Sequence, residues 1–142
     1  NLTSPTRRGF TENTNIINKN SRTVLVVEDS ITTRILEIAI LEEAGYKVLS
    51  AEDGEKALAL LHANNIDLVV SDVDMPIMNG FELTRKIRAT SALKSIPVIL
   101  LTARENSSDK LAGLEAGANA YMKKGQFDQS GLLEIIKGLI GQ

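Results

Sequence analysis

Five short runs of β-favouring apolar residues recur along this chain, and a segment of helical period separates each from the next. The runs are Thr23–Val27 (TVLVV), Tyr46–Ser50 (YKVLS), Asp67–Ser71 (DLVVS), Pro97–Leu101 (PVILL) and Asn119–Met122 (NAYM). Several are apolar at consecutive positions, the pattern of strands buried on both faces of a parallel sheet. The segments after them keep stripes three and four residues apart. Ile31, Ile35 and Ile38 with Leu41 or Glu42 form the first, which Gly45 ends. Ala57, Leu58, Leu60 and Leu61 follow Gly54, and Phe81, Leu83 and Ile87 follow Gly80. Leu111 and Leu114 lie between Ser107-Ser108-Asp109, read as a helix cap, and Gly117. Leu132, Leu133, Ile136, Leu139 and Ile140 complete the set.

Five strand–helix units imply an α/β fold, a parallel sheet with helices on both faces. Right-handed crossovers reduce the topologies to a doubly wound sheet of five strands and five helices. The flavodoxin-like strand order 2-1-3-4-5 leads among them.

The 142 residues suffice for one such domain and a tail. Residues 1–22 carry Arg7, Arg8, Lys19 and Arg22 against Glu12, and half of them are Asn, Ser or Thr. This reads as a polar, basic linker without a core of its own, with residues 23–142 as the domain. Of the chain's 16 basic and 18 acidic residues, the domain keeps 12 and 17. An acidic domain is not a default nucleic-acid binder. There is no Cys and one His, His62, which excludes thiolate and His-rich metal sites. No apolar run is long enough to span a membrane, and no secretory leader is visible, so a cytoplasmic place is expected. A chain starting at Asn1 is expected to be a piece of something longer.

In a doubly wound sheet, ligands bind outside the carboxyl ends of the strands. The first run is followed by Glu28-Asp29, the third by Asp72 with Asp74 two residues on, the fourth by Thr102 and the fifth by Lys123-Lys124. The inferred order makes these strands neighbours, so three carboxylates, a hydroxyl and an ammonium gather on one edge. Clustered carboxylates repel unless a cation neutralises them, and oxygen ligands without His or Cys point to Mg²⁺. Mg²⁺ recruits phosphate oxygens, which points to phosphoryl chemistry. No phosphate-binding glycine loop follows the first strand, which argues against a bound nucleotide and leaves open a carboxylate that itself accepts a phosphoryl group.

The blocks V-L-V-V-E-D-S, L-V-V-S-D-V-D-M-P-I-M-N-G, P-V-I-L-L-T-A and Y-M-K-K resemble the response regulator receiver domain of two-component systems. The finer pattern, with S-D-V-D-M-P-I-M-N-G-F-E-L-T-R-K-I-R and F-D-Q-S-G-L-L-E-I-I, is most similar to the C-terminal receiver of chemotaxis-type hybrid histidine kinases. The resemblance implies that Asp72 is the phosphoacceptor. It implies that Glu28, Asp29, Asp72 and the backbone carbonyl of Asp74 hold Mg²⁺. Lys124 pairs with Asp72 and then with a phosphoryl oxygen, Thr102 hydrogen-bonds another, and Tyr121 is the switch aromatic. The donor is a phosphohistidine-containing kinase or phosphotransfer domain. The output partner meets the face of the fourth strand, fourth helix, fifth strand and fifth helix.

Two positions depart from the family's usual pattern. Glu28 stands where Asp is more usual, which lengthens the metal contact or routes it through water. Gly125 stands where Pro is usual; a trans bond to Lys124 is expected, because a cis bond without Pro costs about 2.5–4 kcal/mol. The resemblance implies that Arg104 and Asp74, each two residues past a site residue, flank the mouth, where an ion pair between them would obstruct attacking water. His62 is read as a surface or partly packed residue, and Gly80 as a helix start or part of the loop beside the acid. The alternatives are a stand-alone chemotaxis-type regulator and a pseudo-receiver that docks without being phosphorylated. A third is a phosphohydrolase, since Asp72-Val73-Asp74 resembles the start of haloacid-dehalogenase-type phosphatases; Pro76 stands where those want Thr or Val.

Overall fold

The structure, a computed structural model, describes residues 21–103, 107–124 and 129–141. The lead-in at residues 1–20, Arg104 and Gly125 lie outside the described residues. Five strands run β1 (Thr23–Val27), β2 (Lys47–Ala51), β3 (Leu68–Asp72), β4 (Val98–Thr102) and β5 (Ala120–Lys123). The helices between and after them are α1 (Ile31–Glu43), α2 (Gly54–Ala63), α3 (Gly80–Ala89), α4 (Ser107–Ala116) and α5 (Gln129–Ile140). All strand pairs are parallel, in the order β2-β1-β3-β4-β5, as the sequence implied.

Alternation along the strands divides the core in two. Leu25, Val27, Val69 and Leu100 point to the side covered by Ala57 and Leu61 of α2 and Leu83 and Ile87 of α3. Val24, Val26, Val70, Ile99 and Leu101 point to the other side, under Leu41 of α1 and Leu132 and Ile136 of α5. Side chains at the helix starts hold otherwise unsatisfied backbone donors. Ser30 Oγ accepts from the Thr33 N–H at 3.3 Å, and Asp53 Oδ1 from the Lys56 N–H at 2.9 Å. Asn79 and Glu82 form a reciprocal capping box on α3.

Three expectations need correction. The strands after β1 each start and end one residue later than the apolar runs did. Ladder register decides this, not hydrophobicity: Asp72 pairs with Leu101 and Thr102 with Lys123. Asp72 and Thr102 are therefore the last residues of their strands, inside the sheet's hydrogen-bond frame.

The face of α1 was also placed wrongly at its start. Ile31 and Ile35 are 66% and 61% exposed, whereas Glu37, Ile40 and Leu41 are buried. Seven apolar residues from Ile31 to Leu41 occupy all sides of this helix, so their period could not select a face.

In α4, Leu111 and Leu114 are exposed, and the helix meets the sheet through Gly113 and Ala116. A Cβ on Gly113 would lie 2.9 Å from the Tyr121 ring and 3.1 Å from Leu100 Cδ1. The small residues are thus the buried stripe. Ser107, Ser108 and Asp109 are its first turn, not a cap before it.

Candidate active site

The first link is β1. After Val27 the chain continues into Glu28, which keeps the α1–α5 side of the alternation and is 1% exposed. The Arg34 guanidinium donates to its carbonyl oxygen at 2.7 Å, and its Oε2 accepts from the Ser30 N–H at 3.1 Å. Glu28 is thereby fixed at both its backbone and its side chain.

Asp72, at the end of the central strand β3, falls on the same side and is buried. Its Oδ1 accepts from the Val73 N–H at 2.8 Å, and its Oδ2 lies 3.4 Å from Lys124 Nζ. Lys124, just past β5, donates to Glu28 Oε1 at 2.5 Å. Carboxylate oxygens of Glu28, Asp29 and Asp72 lie within 4.8 Å of one another. The three carboxylates of the set named from the sequence are thus brought together, and oxygen ligands of this kind suit a hard divalent cation. Asp29 and Asp74 are exposed.

Thr102 is fully buried at the end of β4. Alternation puts it on the α2–α4 side with Tyr121, opposite in parity to Asp72. Tyr121 packs half-buried against the core in the notch that Gly113 leaves. The charge cluster and the Thr102–Tyr121 pair therefore flank the sheet edge from its two sides. His62 is exposed at the end of α2, away from these groups. The Arg104 half of the expected mouth pair lies outside the described residues.

The electrostatics follow from crowding. Burial, reinforced by the Glu28 charge, pushes the Asp72 carboxyl up to about 6, against a smaller downward pull from Lys124. Burial lowers the Lys124 ammonium, but its hydrogen bond to Glu28 and the Asp72 and Glu28 charges outweigh that, so its pKa is raised. A fourth acid, Glu37 of α1, is buried beside this group. Burial first, and then the Glu28 charge, push it up to about 8.

These shifts have a sign for stability. The ordinary values are 3.8 for Asp72 and 4.5 for Glu37, so between those and the raised values the folded state holds more protons than the unfolded one. Stability therefore falls as pH rises, by about 1.4 kcal/mol per pH unit for each group within its window. With divalent cations chelated, urea unfolding midpoints are expected to drop from pH 5 to pH 8. Glu37→Gln is expected to flatten the part above pH 6, and an unchanged slope in that variant would contradict the assignment.

Sequence reasoning missed two residues. Glu37 carried a signal: an acid four residues before buried Leu41, on the packed face of α1. Gly80, left open between two readings, abuts Asp72 itself, since a Cβ there would lie 2.4 Å from the Asp72 carbonyl oxygen. The connection between them is tight. The Gly80 N–H donates to the Val73 carbonyl at 2.9 Å, and the Met78 N–H to the Pro76 carbonyl at 2.7 Å. That second bond spans one residue, Ile77, at φ 72°, which is the γ-turn of the rarer, strained hand.

Comparison with known proteins agrees with this geometry. The family model described as "Response regulator receiver domain" matches residues 24–137. A gliding motility regulatory protein of Myxococcus xanthus is 40% identical over 116 residues, covering 82% of this chain but 15% of that protein. Protein PilH of Pseudomonas aeruginosa is 36% identical over 117 residues, covering 82% of this chain and 96% of PilH. Among solved structures, the receiver domain of the sensor histidine kinase PA1611 from Pseudomonas aeruginosa superposes with a TM-score of 0.78 at 31% identity. That match covers 86% of this chain and 99% of the other, whose active-site cleft coordinates a magnesium ion. The order of the strands, the acids at their ends and a family match across nearly all of the described residues lead to one conclusion: this chain belongs to the response regulator receiver domains of two-component systems.

Proposed function

We propose that Asp72 accepts a phosphoryl group from a phosphohistidine and that the resulting acyl phosphate switches the domain's conformation. The observation that carries this is the setting of the Asp72 carboxylate. It ends the central strand, within 4.8 Å of two other acids and 3.4 Å from the Lys124 ammonium. One carboxylate oxygen forms the new P–O bond. The P–N bond to the imidazole breaks, and its electron pair returns to the ring nitrogen. Phosphoryl transfer asks mainly for positioning and charge neutralisation. Lys124 provides one positive charge. Mg²⁺, held by Glu28, Asp29, Asp72 and the Asp74 carbonyl, supplies the rest of that neutralisation when bound.

The phosphoryl group adds nearly two negative charges and three acceptor oxygens. Lys124 and the Thr102 hydroxyl are the groups it draws in. Because Thr102 shares its side of the sheet with Tyr121 and α4, the pull reaches the β4–α4–β5–α5 face. Leu111 and Leu114 stand exposed on that face, where an output partner docks. Among the described residues no helix is long and apolar enough to cross a membrane.

The domain is one part of a chemotaxis-type hybrid sensor kinase, preceded by the polar linker. The second kinase-linked reading, a stand-alone regulator, is favoured by the near end-to-end match with PilH. Incubation with a phosphorylated histidine kinase domain tests the core proposal. One phosphoryl group per chain is expected with Mg²⁺, and none with chelator. Continuous turnover of a phosphate ester without stoichiometric labelling would replace the switch by a phosphatase.

A further inference from the structure

The strongest clue outside the expected site is Glu37. A carboxyl group 5% exposed on a helix face is costly unless something there needs it. Its surroundings show what that is. A cavity of about 190 Å³ beside the acid cluster is lined by Thr33, Leu36, Glu37 and Lys124. Glu37 is the acid of that cavity and Lys124 its cation.

Lys124 has a problem to solve when a divalent cation arrives. Its ammonium sits on Glu28 Oε1 at 2.5 Å, while the Ser30 N–H takes Oε2 at 3.1 Å. Both oxygens of Glu28 are thus engaged. The side chain cannot swing away, because it is fully enclosed and its carbonyl is held by Arg34. An ion taking Glu28 must take it from Lys124, and two cations on the same oxygen repel. The lysine stem is flexible and its ammonium can relocate, but only to another oxygen.

We propose that Glu37 is a positioning residue for Lys124: it is the acceptor to which the ammonium shifts when a divalent cation takes over Glu28. The inference rests on the proposed metal-assisted reading of the site. It assigns α1 a part in the chemistry that none of the acids at the strand ends performs. Lys124 stays within reach of Asp72 while parked, ready for the incoming phosphoryl oxygen. Without Glu37 the remaining acceptor near the ammonium is Asp72 Oδ2, 3.4 Å away and itself one of the acids offered to the ion, so the ammonium competes with the ion.

The test is a calorimetric titration of the chain with Mg²⁺ alone. Glu37→Leu is expected to weaken Mg²⁺ binding about ten-fold, while its stability without metal equals or exceeds the wild type's, since a buried acid has been removed. Glu37→Gln keeps a carbonyl oxygen and is expected to stay within about three-fold of wild type. In the wild type, saturating Mg²⁺ is expected to move the side-chain carboxyl ¹³C resonance of Glu37. Wild-type affinity in the Leu variant, equal losses in Leu and Gln, or an unmoved Glu37 resonance would each overturn the proposal. Absence of Mg²⁺ binding by the wild type would overturn the metal reading and this inference together. Normal wild-type binding with an unaffected Leu variant would overturn this inference alone.

Discussion

Asp72→Asn is expected to reduce labelling by acetyl phosphate or by a phosphorylated kinase to background, while the fold stays intact. The amide lacks the anionic oxygen that attacks phosphorus, so no acyl phosphate forms. Among the acids gathered here, Asp72 alone combines burial, a central strand and an oxygen facing Lys124. Glu28 lies just past the end of β1, off the central strand, and Asp29 stands at the exposed rim. Stability gives an internal control. The Asp72 carboxyl is held up at about 6, so its ionised form is disfavoured in the fold. A neutral residue there is expected to raise metal-free stability near pH 8 by on the order of 1–3 kcal/mol. Intact-mass measurement after phosphodonor treatment and urea unfolding of the same sample read both effects. Persistent stoichiometric labelling of Asp72→Asn would move the acceptor to another residue.

Gly80→Ala is expected to cost about 3 kcal/mol or more, at the upper end of overpacking substitutions. The added methyl would lie 2.4 Å from the Asp72 carbonyl oxygen and 2.9 Å from Val73 Cα. Both are backbone atoms, so no side-chain rotation relieves the contact. Either α3 lifts from the sheet edge or the end of β3 moves, and the second displaces the acceptor. Reduced labelling is therefore expected beside the lower unfolding midpoint. Gly138→Ala is the matched control. It is exposed on α5 with nothing within 4 Å of the new methyl, and a gain of about 0.5–1 kcal/mol is expected from helix preference alone. Equal stabilities of the two variants would refute the steric account.

The sheet was legible because its strands are buried on both faces and so read as unbroken apolar runs. The site was legible for the same reason: where such a run stops at Glu28, Asp72 or Thr102, polarity has been placed at a strand end deliberately. Helix orientation was less legible. In α1 the apolar residues surround the axis, and in α4 the buried side is built of Gly113 and Ala116, which hydrophobic periodicity ignores. Glu37 was overlooked because a glutamate on a helix is ordinarily a solvated residue. Only the position of Lys124, arriving from β5 far along the chain, makes it part of the site. Gly80 shows the same limit: the atom it must not touch belongs to Asp72 at the end of a strand, eight residues back across a turn.

The single-residue turn at Ile77 bears on how this chain tolerates changes of length. Connections on a protein surface are ordinarily where residues are inserted or lost between relatives. The segment from Val73 to Gly80 is a connection in name only. It is tied at its two ends by the Gly80 N–H on the Val73 carbonyl, and bent in its middle around a β-branched residue at φ 72°. Backbone held that far from its preferred basin persists only where its surroundings over-determine it. An inserted residue would relax the bend, and it would also change where Met78 meets Gly54 and where Gly80 meets Asp72. Variation in length has to be absorbed elsewhere, and the segment beside the acceptor acts as a fixed spacer whose residue count is itself part of the site.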